Sequence, residues 1–580
     1  MIWFALTIVL AWVWLGSVVR AGSSPSQLEP ASPPAREVGQ KRREGEVYVK
    51  SDAVVRSAEF RRIEALPRRQ LSDIDLTDEF RLPGGNMRLR LVQSQALHEI
   101  RQTGGLLGLM SVGAGKALIT LLAGAAMGID DVVLLVPANL RGQTNLHVIP
   151  EMSKHWRLPK NLRVVSYTEL SLEKNAALLQ DLRPGLIVAD EAHKLKSRNS
   201  GRTRRLIRYF QQFPETKFVA LSGTMTKNSL HDYSHLSEIA LRAGSPVPYE
   251  WQDLRSWAAA LDANVPYPER VHPGALSRFC AAGEEPRDGY RRRLTETPGV
   301  VSTKRAEVEA GLEIHKHSID LPQDIRDALT ELDEVWVTPG GEELMDVFAH
   351  WRAASQLLCG FYTRWNPQPP QWWLDVRSNY TAFIRHKIRY SGGRFDTELQ
   401  ARSAYRNAPE VVAWAQAKEQ FEPNVEEVWV SEAMVERMED WALETGGLVW
   451  VSHRPVGRLL KKRGRVPYFG AGDDKVLSHS GPCAASLRAH GTGKNLQYQW
   501  SKMLFPSPPN SALDWEQAIG RMHRSGQPED TVEAHVWIAG SALYDSMEHA
   551  MAEAEYLQGT TGQDQKLNIA TVVEMDAEKR

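Results

Sequence analysis

The stretch from Leu106 to Gly128, LLGLMSVGAGKALITLLAGAAMG, constrains the fold more than any other part of the chain. Its opening apolar run suits a strand buried on both faces, and the small and aliphatic residues after Lys116 suit a packed helix. Strand, glycine loop and helix in that order converge backbone N–H groups and a helix N-terminus on one point, where an anion is held. Gly113, Ala114 and Gly115 form the loop, and Lys116 supplies a mobile cation for outer phosphate oxygens. One position departs from a complete phosphate loop. Where a Ser or Thr would ligate magnesium the chain has Ala117, and Thr120, one turn along the helix, is a poor substitute.

More apolar runs follow at intervals filled by helical segments: VVLLVP (Val132 to Pro137), RVVSY (Arg163 to Tyr167), LIVADEAH (Leu186 to His193) and FVALSGT (Phe218 to Thr224). This alternation predicts a parallel sheet with crossover helices, whose ligands gather at the carboxyl ends of the strands. Asp190, Glu191, Ser222 and Thr224 fall there. Two adjacent carboxylates directly after LIVA suit one acid that holds a hydrated magnesium and a second that orients an attacking water. Upstream, LRLVQSQALHEI sets Gln93 at the front of a helix, in a position to read an adenine edge. Downstream, Lys194, Lys196, Arg198, Arg202, Arg204 and Arg205 form a basic segment that suits either a solvated helix or a phosphate backbone.

A chain of 580 residues is too long for one core, and a formal charge of -1 confines any nucleic-acid contact to local basic stretches. Cys280, Cys359 and Cys483 are far apart and lack metal-ligand spacing, so neither a disulfide framework nor a metal cluster is expected. Ile2 to Val19 is apolar and about the length of a bilayer crossing. Its positive charges, Arg20 and then Lys41, Arg42 and Arg43, all follow it, which would keep the body cytoplasmic. The run reads either as a membrane anchor or as a stretch upstream of the working start. Residues from 23 onward are rich in Pro, Ser and charge, and Arg61, Arg62, Arg68 and Arg69 suit a linker or a nucleic-acid-binding arm.

Beyond Gly244 the pattern loosens and tryptophans accumulate; the GFYTRWNPQPPQWWLDVR stretch (Gly360 to Arg377) suits core packing or stacking on bases. Alternation returns with GGLVWVSHR (Gly446 to Arg454), and KMLFP and EAHVWI continue a second parallel sheet. HGTGKNLQ (His490 to Gln497) adds a glycine loop containing Gly493. QAIGRMHRSGQ (Gln517 to Gln527) sets Arg521 and Arg524 three residues apart on one helical face, where both reach one polyanion.

In this order the motifs resemble superfamily 2 helicase-like ATPases, and within them SWI/SNF-type double-stranded DNA translocases. LRLVQSQAL looks like the nucleotide-side glutamine motif, SVGAGKA the phosphate loop, VPANL the first DNA-side motif and DEAHKLKSRNS the magnesium and water motif. LSGTMTKNSLHDY is similar to the lobe-coupling stretch, while HGTGKNLQ and QAIGRMHRSGQ match the motifs of the second lobe. The match covers about residues 88 to 240 and 446 to 540, and the middle of the chain looks like insertions in helicase-like proteins of tailed bacteriophages. The resemblance implies two RecA-like parallel-sheet α/β lobes separated by a largely helical, Trp-rich insertion, with ATP and magnesium in the cleft and double-stranded DNA as partner. It implies that Gln93, residues 113–117, Gly493, Gln517, Arg521 and Arg524 bind ATP. Lys116 would hold the outer phosphates, Asp190 magnesium through water, Glu191 the attacking water, and Arg521 and Arg524 would act as arginine fingers.

The expected organisation is an apolar segment (1–22), a flexible basic linker (23–85), a first lobe (86–240), a helical insertion (241–435), a second lobe (436–560) and a flexible tail (561–580). The location implied is the cytoplasm of a bacterium or phage-infected host, with membrane anchoring through residues 2–19 as the variant. Ala117, and Lys494 where a leucine is usual, depart from the family pattern. Two other readings follow from the same residues: a catalytically weakened, nucleotide-regulated DNA-binding protein, and an RNA helicase, which the DEAH letters permit. Oligomeric state is not legible.

Overall fold

The apolar runs of the N-terminal half become β1 (Gly105–Leu109), β2 (Asp131–Val136), β3 (Asn161–Ser166), β4 (Leu186–Asp190) and β5 (Lys217–Ser222) of one parallel sheet. The computed structural model describes residues 53–575 apart from 71–72, 227–228, 263–264, 266–268, 304–307, 343, 345–346, 390–397 and 423. A sixth strand, β6 (Val300–Ser302), adds to β1, giving the order β3-β2-β4-β5-β1-β6 with every pairing parallel. Alternate residues of each strand enter separate cores: Leu107, Leu135 and Ile187 on one face, Leu106, Leu134 and Val188 on the other. Burial on both faces is why these segments read as unbroken apolar runs.

The second sheet takes β7 (Gly311–Ser318) from before the insertion, within which β8 (Phe361–Trp365) pairs antiparallel with β9 (Val425–Trp429). Its other strands are β10 (Leu448–Val451), β11 (Tyr468–Phe469), β12 (Cys483–Ser486), β13 (Lys502–Phe505), β14 (Thr531–Ile538) and β15 (Thr571–Met575). This sheet is also parallel, in the order β11-β12-β10-β13-β14-β7-β15. Each sheet is flanked by helices on both faces, so the molecule is α/β with two RecA-like lobes and a largely helical insertion rich in tryptophan.

The lobes extend past the segments marked out by sequence alternation. Residues 251–295 contribute Leu254, Trp257, Tyr290 and Leu294 to the first lobe's core, so the insertion proper runs between β7 and β10, inside the second lobe. Trp365, Trp373, Trp414 and Tyr380 pack in succession in a small core of the insertion's own, and of the paired Trp372 and Trp373 only Trp372 is exposed. At the front, Phe60 and Ile63 of the helix Ala58–Glu64 are buried in the first lobe, and Ser57 caps that helix. Arg62 pairs with Glu59 and holds the Ser245 and Val247 carbonyls, and Arg68 pairs with Glu296, so these arginines serve intrachain contacts. At the other end the stretch expected to be a flexible tail forms the helix Lys566–Ile569 and β15, which pairs with β7.

The helix Ser541–Thr561 joins the lobes. Its first residue bonds Asp333 of the insertion through both N and Oγ, while its last turn receives Arg291 Nη1 at Gly559 O (3.0 Å) and Ser302 Oγ at Thr561 O (3.0 Å). Between these, Tyr556 donates its hydroxyl to Asp262 Oδ1 at 2.8 Å, and Asp262 also accepts Leu230 N–H at 3.2 Å. Among the described residues no helix is long and apolar enough to cross a membrane; the run 2–19 lies outside them.

Burial pushes the Asp262 carboxyl up to about 6 from its ordinary 3.8. Between those values the folded chain binds more protons at this site than the unfolded chain, so its contribution to stability falls as pH rises through that window. Asp262→Asn, which keeps an acceptor for Tyr556, should therefore gain stability over the wild type by up to about 3 kcal/mol between about pH 4 and pH 7. Denaturant unfolding of both proteins at the two pH values checks this; a constant difference would refute it.

Candidate nucleotide site between the lobes

The loop after β1 turns through Gly113 and Gly115, both at positive φ, and Gly115 (φ 81°) is the N-cap of the helix Lys116–Met127. A residue with a Cβ would be strained there and would also meet the Gln93 amide, since a Cβ on Gly115 would lie 2.3 Å from Gln93 Nε2. Gln93 is thereby placed against the loop. Its Oε1 accepts Arg90 N–H at 2.8 Å and its Nε2 donates to Gly115 O at 3.0 Å, while Arg90 Nη1 donates to Gly113 O at 2.9 Å. Lys116 is buried and donates to Met110 O (2.9 Å) and Ser111 O (3.1 Å), and Ala114 is buried beside it. Thr303, just past β6, accepts Ser111 N–H at 2.8 Å, fixing the start of the loop to the added strand.

Asp190 ends β4, and Glu191 follows in the left-handed region (φ 54°), uncommon for a residue with a side chain and a mark of functional geometry when over-determined by its surroundings. Glu191 Oε2 lies 3.3 Å from His193 Nδ1, which is 3.1 Å from Ser222 Oγ at the end of β5; Ser222 Oγ in turn accepts Thr224 N–H at 3.1 Å. DEAH and SGT are thus one hydrogen-bonded unit across two strand ends. Burial and the neighbouring Glu191 charge push Asp190 well above the usual carboxylate range, with Lys116 and Arg521 opposing. Glu191 is also buried, yet His193, Lys116 and Arg521 hold it well below the usual carboxylate range.

From the second lobe come Gln517, Arg521 and Arg524. The helix Ala512–Ile519 ends before the arginines, so they sit in the turn that follows, not on one helical face as their spacing suggests. Gly520 is the C-cap of that helix, and a Cβ there would lie 2.8 Å from Val112 Cγ1 of the glycine loop after β1, so the two lobes meet at this turn. Arg521 Nε donates to Gln517 O (2.9 Å) and Nη1 to Lys494 O (3.3 Å); Arg524 Nη1 donates to Asn495 Oδ1. Gln517 Oε1 accepts Thr492 Oγ1–H at 2.9 Å. Burial and the Arg524 charge lower Arg521 to about 10, still cationic at neutral pH. Among the described residues neither arginine has a carboxylate within 4.0 Å.

The glycine loop of the second lobe follows β12, a strand too short and alanine-rich to stand out in the sequence. Its Gly493 (φ 78°) packs on Leu140 of VPANL, and a Cβ would lie 2.0 Å from Leu140 Cδ2. Lys494 is buried, with Nζ 2.6 Å from Asp474 Oδ1. Three further residues of this region escaped sequence reading: Glu516 (3 % exposed), His523 (1 %) and Lys566 (5 %), a buried polar group behind the arginine turn. The available signals were the place of Glu516 one residue before Gln517 and that of His523 between the two arginines.

Of the basic run after DEAH, Arg202 donates to Lys194 O (2.7 Å) and the buried Arg205 to Leu170 O (2.8 Å), so both are structural. Lys194 instead lines a cavity of about 370 Å³ at the carboxyl ends of β10, β12 and β13, together with Arg352, Arg488 and His453. No family model matches the chain, and no curated protein matches it.

Gly493→Ala should prise the lobes apart at Leu140, giving a larger radius of gyration by small-angle scattering, and adding Leu140→Ala should restore part of the change. An unaltered radius in Gly493→Ala would refute the contact as a determinant of closure.

Proposed function

We propose that the protein is an ATP-dependent DNA translocase of the helicase-like class, coupling ATP hydrolysis between its lobes to movement along double-stranded DNA. The observation that carries this reading is the convergence of Lys116, Asp190 and Glu191 of one lobe with the buried Arg521 and the half-buried Arg524 of the other, three cations of which none has a carboxylate in ion-pair contact among the described residues. Buried guanidinium groups are costly unless an anion meets them, and a triphosphate is such an anion. Lys116 would exchange its bonds to Met110 and Ser111 for phosphate oxygens, and the N–H groups of residues 113–117 would cradle them. Glu191, kept ionised by His193, Lys116 and Arg521, would orient the water that attacks the outer phosphorus and take up its proton. Arg521 and Arg524 would neutralise charge developing on the transferred group.

Magnesium, when bound with ATP, supplies charge neutralisation of the phosphate oxygens. Asp190 is the residue placed to hold it, through water. Thr120 does not replace the missing ligand at Ala117, since its Oγ1 donates to Ala117 O at 2.8 Å. Among the described residues no group of three or more His, Cys, Asp or Glu side chains is arranged to hold a metal ion, so Asp190 would hold magnesium together with the bound nucleotide. The cationic cavity at the strand ends of the second lobe, faced by Lys194 of the first, suits a phosphodiester backbone that is gripped anew as the lobes close and open. The activity belongs in the cytoplasm on this reading, on the side to which Arg20 and Lys41–Arg43 would hold the body of the chain if residues 2–19 enter a membrane.

Turnover of ATP with and without duplex DNA tests the proposal. Lys116→Ala and Glu191→Gln should each lower DNA-stimulated turnover by about 100-fold or more, and Arg521→Ala by about 10³-fold. Equal turnover in all four proteins would eliminate the motor, and stronger stimulation by duplex RNA than by duplex DNA would redirect it to an RNA helicase.

Ala117, with Thr120 spent on its own helix, favours a second reading in which nucleotide regulates DNA binding with little hydrolysis. Ala117→Thr decides between them: a gain of about 10-fold or more in turnover supports the regulated binder, and no gain supports the efficient motor.

A further inference from the structure

Behind the arginine turn lies a buried polar group that the phosphate chemistry does not use. The Lys566 ammonium donates to His523 Nδ1 at 2.8 Å and to His523 O at 3.0 Å, and Lys566 N–H donates to Glu516 Oε2 at 2.7 Å. His523 stands between Arg521 and Arg524, and its Nε2 bonds Ala310 O at 2.9 Å, just before β7. With Nδ1 accepting from Lys566, the ring is fixed as the Nε2–H tautomer. One lysine thus grips the turn at its central residue and, through Glu516, the helix that leads into it.

Lys566 is itself held. It lies between the helix Ser541–Thr561, whose end is bonded to Ser302, and β15, which pairs with β7. Thr303, next to Ser302, holds Ser111 at the start of the phosphate loop. A continuous run of bonds therefore joins the phosphate loop of one lobe to the arginine turn of the other through the C-terminal segment.

We propose that Lys566 is a positioning residue for ATP hydrolysis, holding the 516–524 turn so that Arg521 and Arg524 meet the triphosphate across the cleft. This rests on the hydrolytic reading of the site. Lys566 touches no reacting atom, so its removal should leave nucleotide affinity nearly intact and slow the step that needs well-placed arginines; a displacement of about 1 Å is worth about 100-fold.

The test is Lys566→Met in the full chain. DNA-stimulated kcat should fall about 10- to 100-fold while KM for ATP stays within about threefold. Amide exchange of residues 512–527 should accelerate. In an Arg521→Ala/Arg524→Ala background the same substitution should cost less than about twofold, since it acts through those two arginines. A kcat within about twofold of wild type, or the full loss repeated in that double-variant background, would overturn the proposal. If no form of the protein turns over ATP, the hydrolytic reading falls instead. Exchange then decides alone: acceleration confined to 512–527 keeps Lys566 as the anchor of the turn, and unchanged exchange removes it. Should Lys566→Met fail to fold, Lys566→Gln, which keeps one donor, is judged by the same criteria.

Discussion

Two guanidinium groups held between the lobes without paired carboxylates set the terms for the surrounding structure. Arg521 is 4 % exposed and hydrogen-bonded to the backbone carbonyls of Gln517 and Lys494, while Glu191, Glu516 and Asp190 act on its charge from beyond ion-pair distance. A buried charge without a contacting counter-ion is costly, and a fold tolerates it where surrounding contacts are strong enough to impose it. Those contacts come from both sheets. Val112 meets Gly520, Leu140 meets Gly493, and Lys566 fastens the turn from behind.

The same economy governs the carboxylates. Asp190 and Glu191 occupy one strand end, and two like charges so close cannot both be easily ionised in a buried site; the protein separates them by giving Glu191 the His193 contact while Asp190 is left with the burial penalty. His193 passes this arrangement to Ser222, and the stretch after β5 ends at Leu230, whose N–H is held by Asp262. Asp262 holds Tyr556 of the helix that crosses to the second lobe. Asp262 therefore ties Leu230 of the first lobe to the helix that crosses to the second, away from the cleft.

Much of this was legible in advance because it depends on local chemistry. Continuous apolar runs reported strands buried on both faces, and the loop between Ser111 and Lys116 announced its conformation through glycines that turn out to have positive φ. The failures share a cause. β6 has three residues, β12 is CAAS, and β15 is TVVEM behind a polar segment, so none buries enough side chain to leave a pattern; each is held by the edge or the neighbours it joins. Lys566 read as part of a polar tail, because a lysine looks solvated until its partners, 43 and 50 residues away in sequence, are brought to it.

The sequence by itself determined the α/β class and the places of the glycine loop after β1 and of the acidic end of β4, since strand burial and glycine geometry are properties of short segments. Only the tertiary structure decided that the arginines stand in a turn and not on a helix, that the insertion belongs inside the second lobe, and that the C-terminal segment locks both sheets to the site. Those outcomes depend on side chains hundreds of residues apart sharing one buried volume, where the cost of an unpaired polar group selects the arrangement and no local periodicity records it.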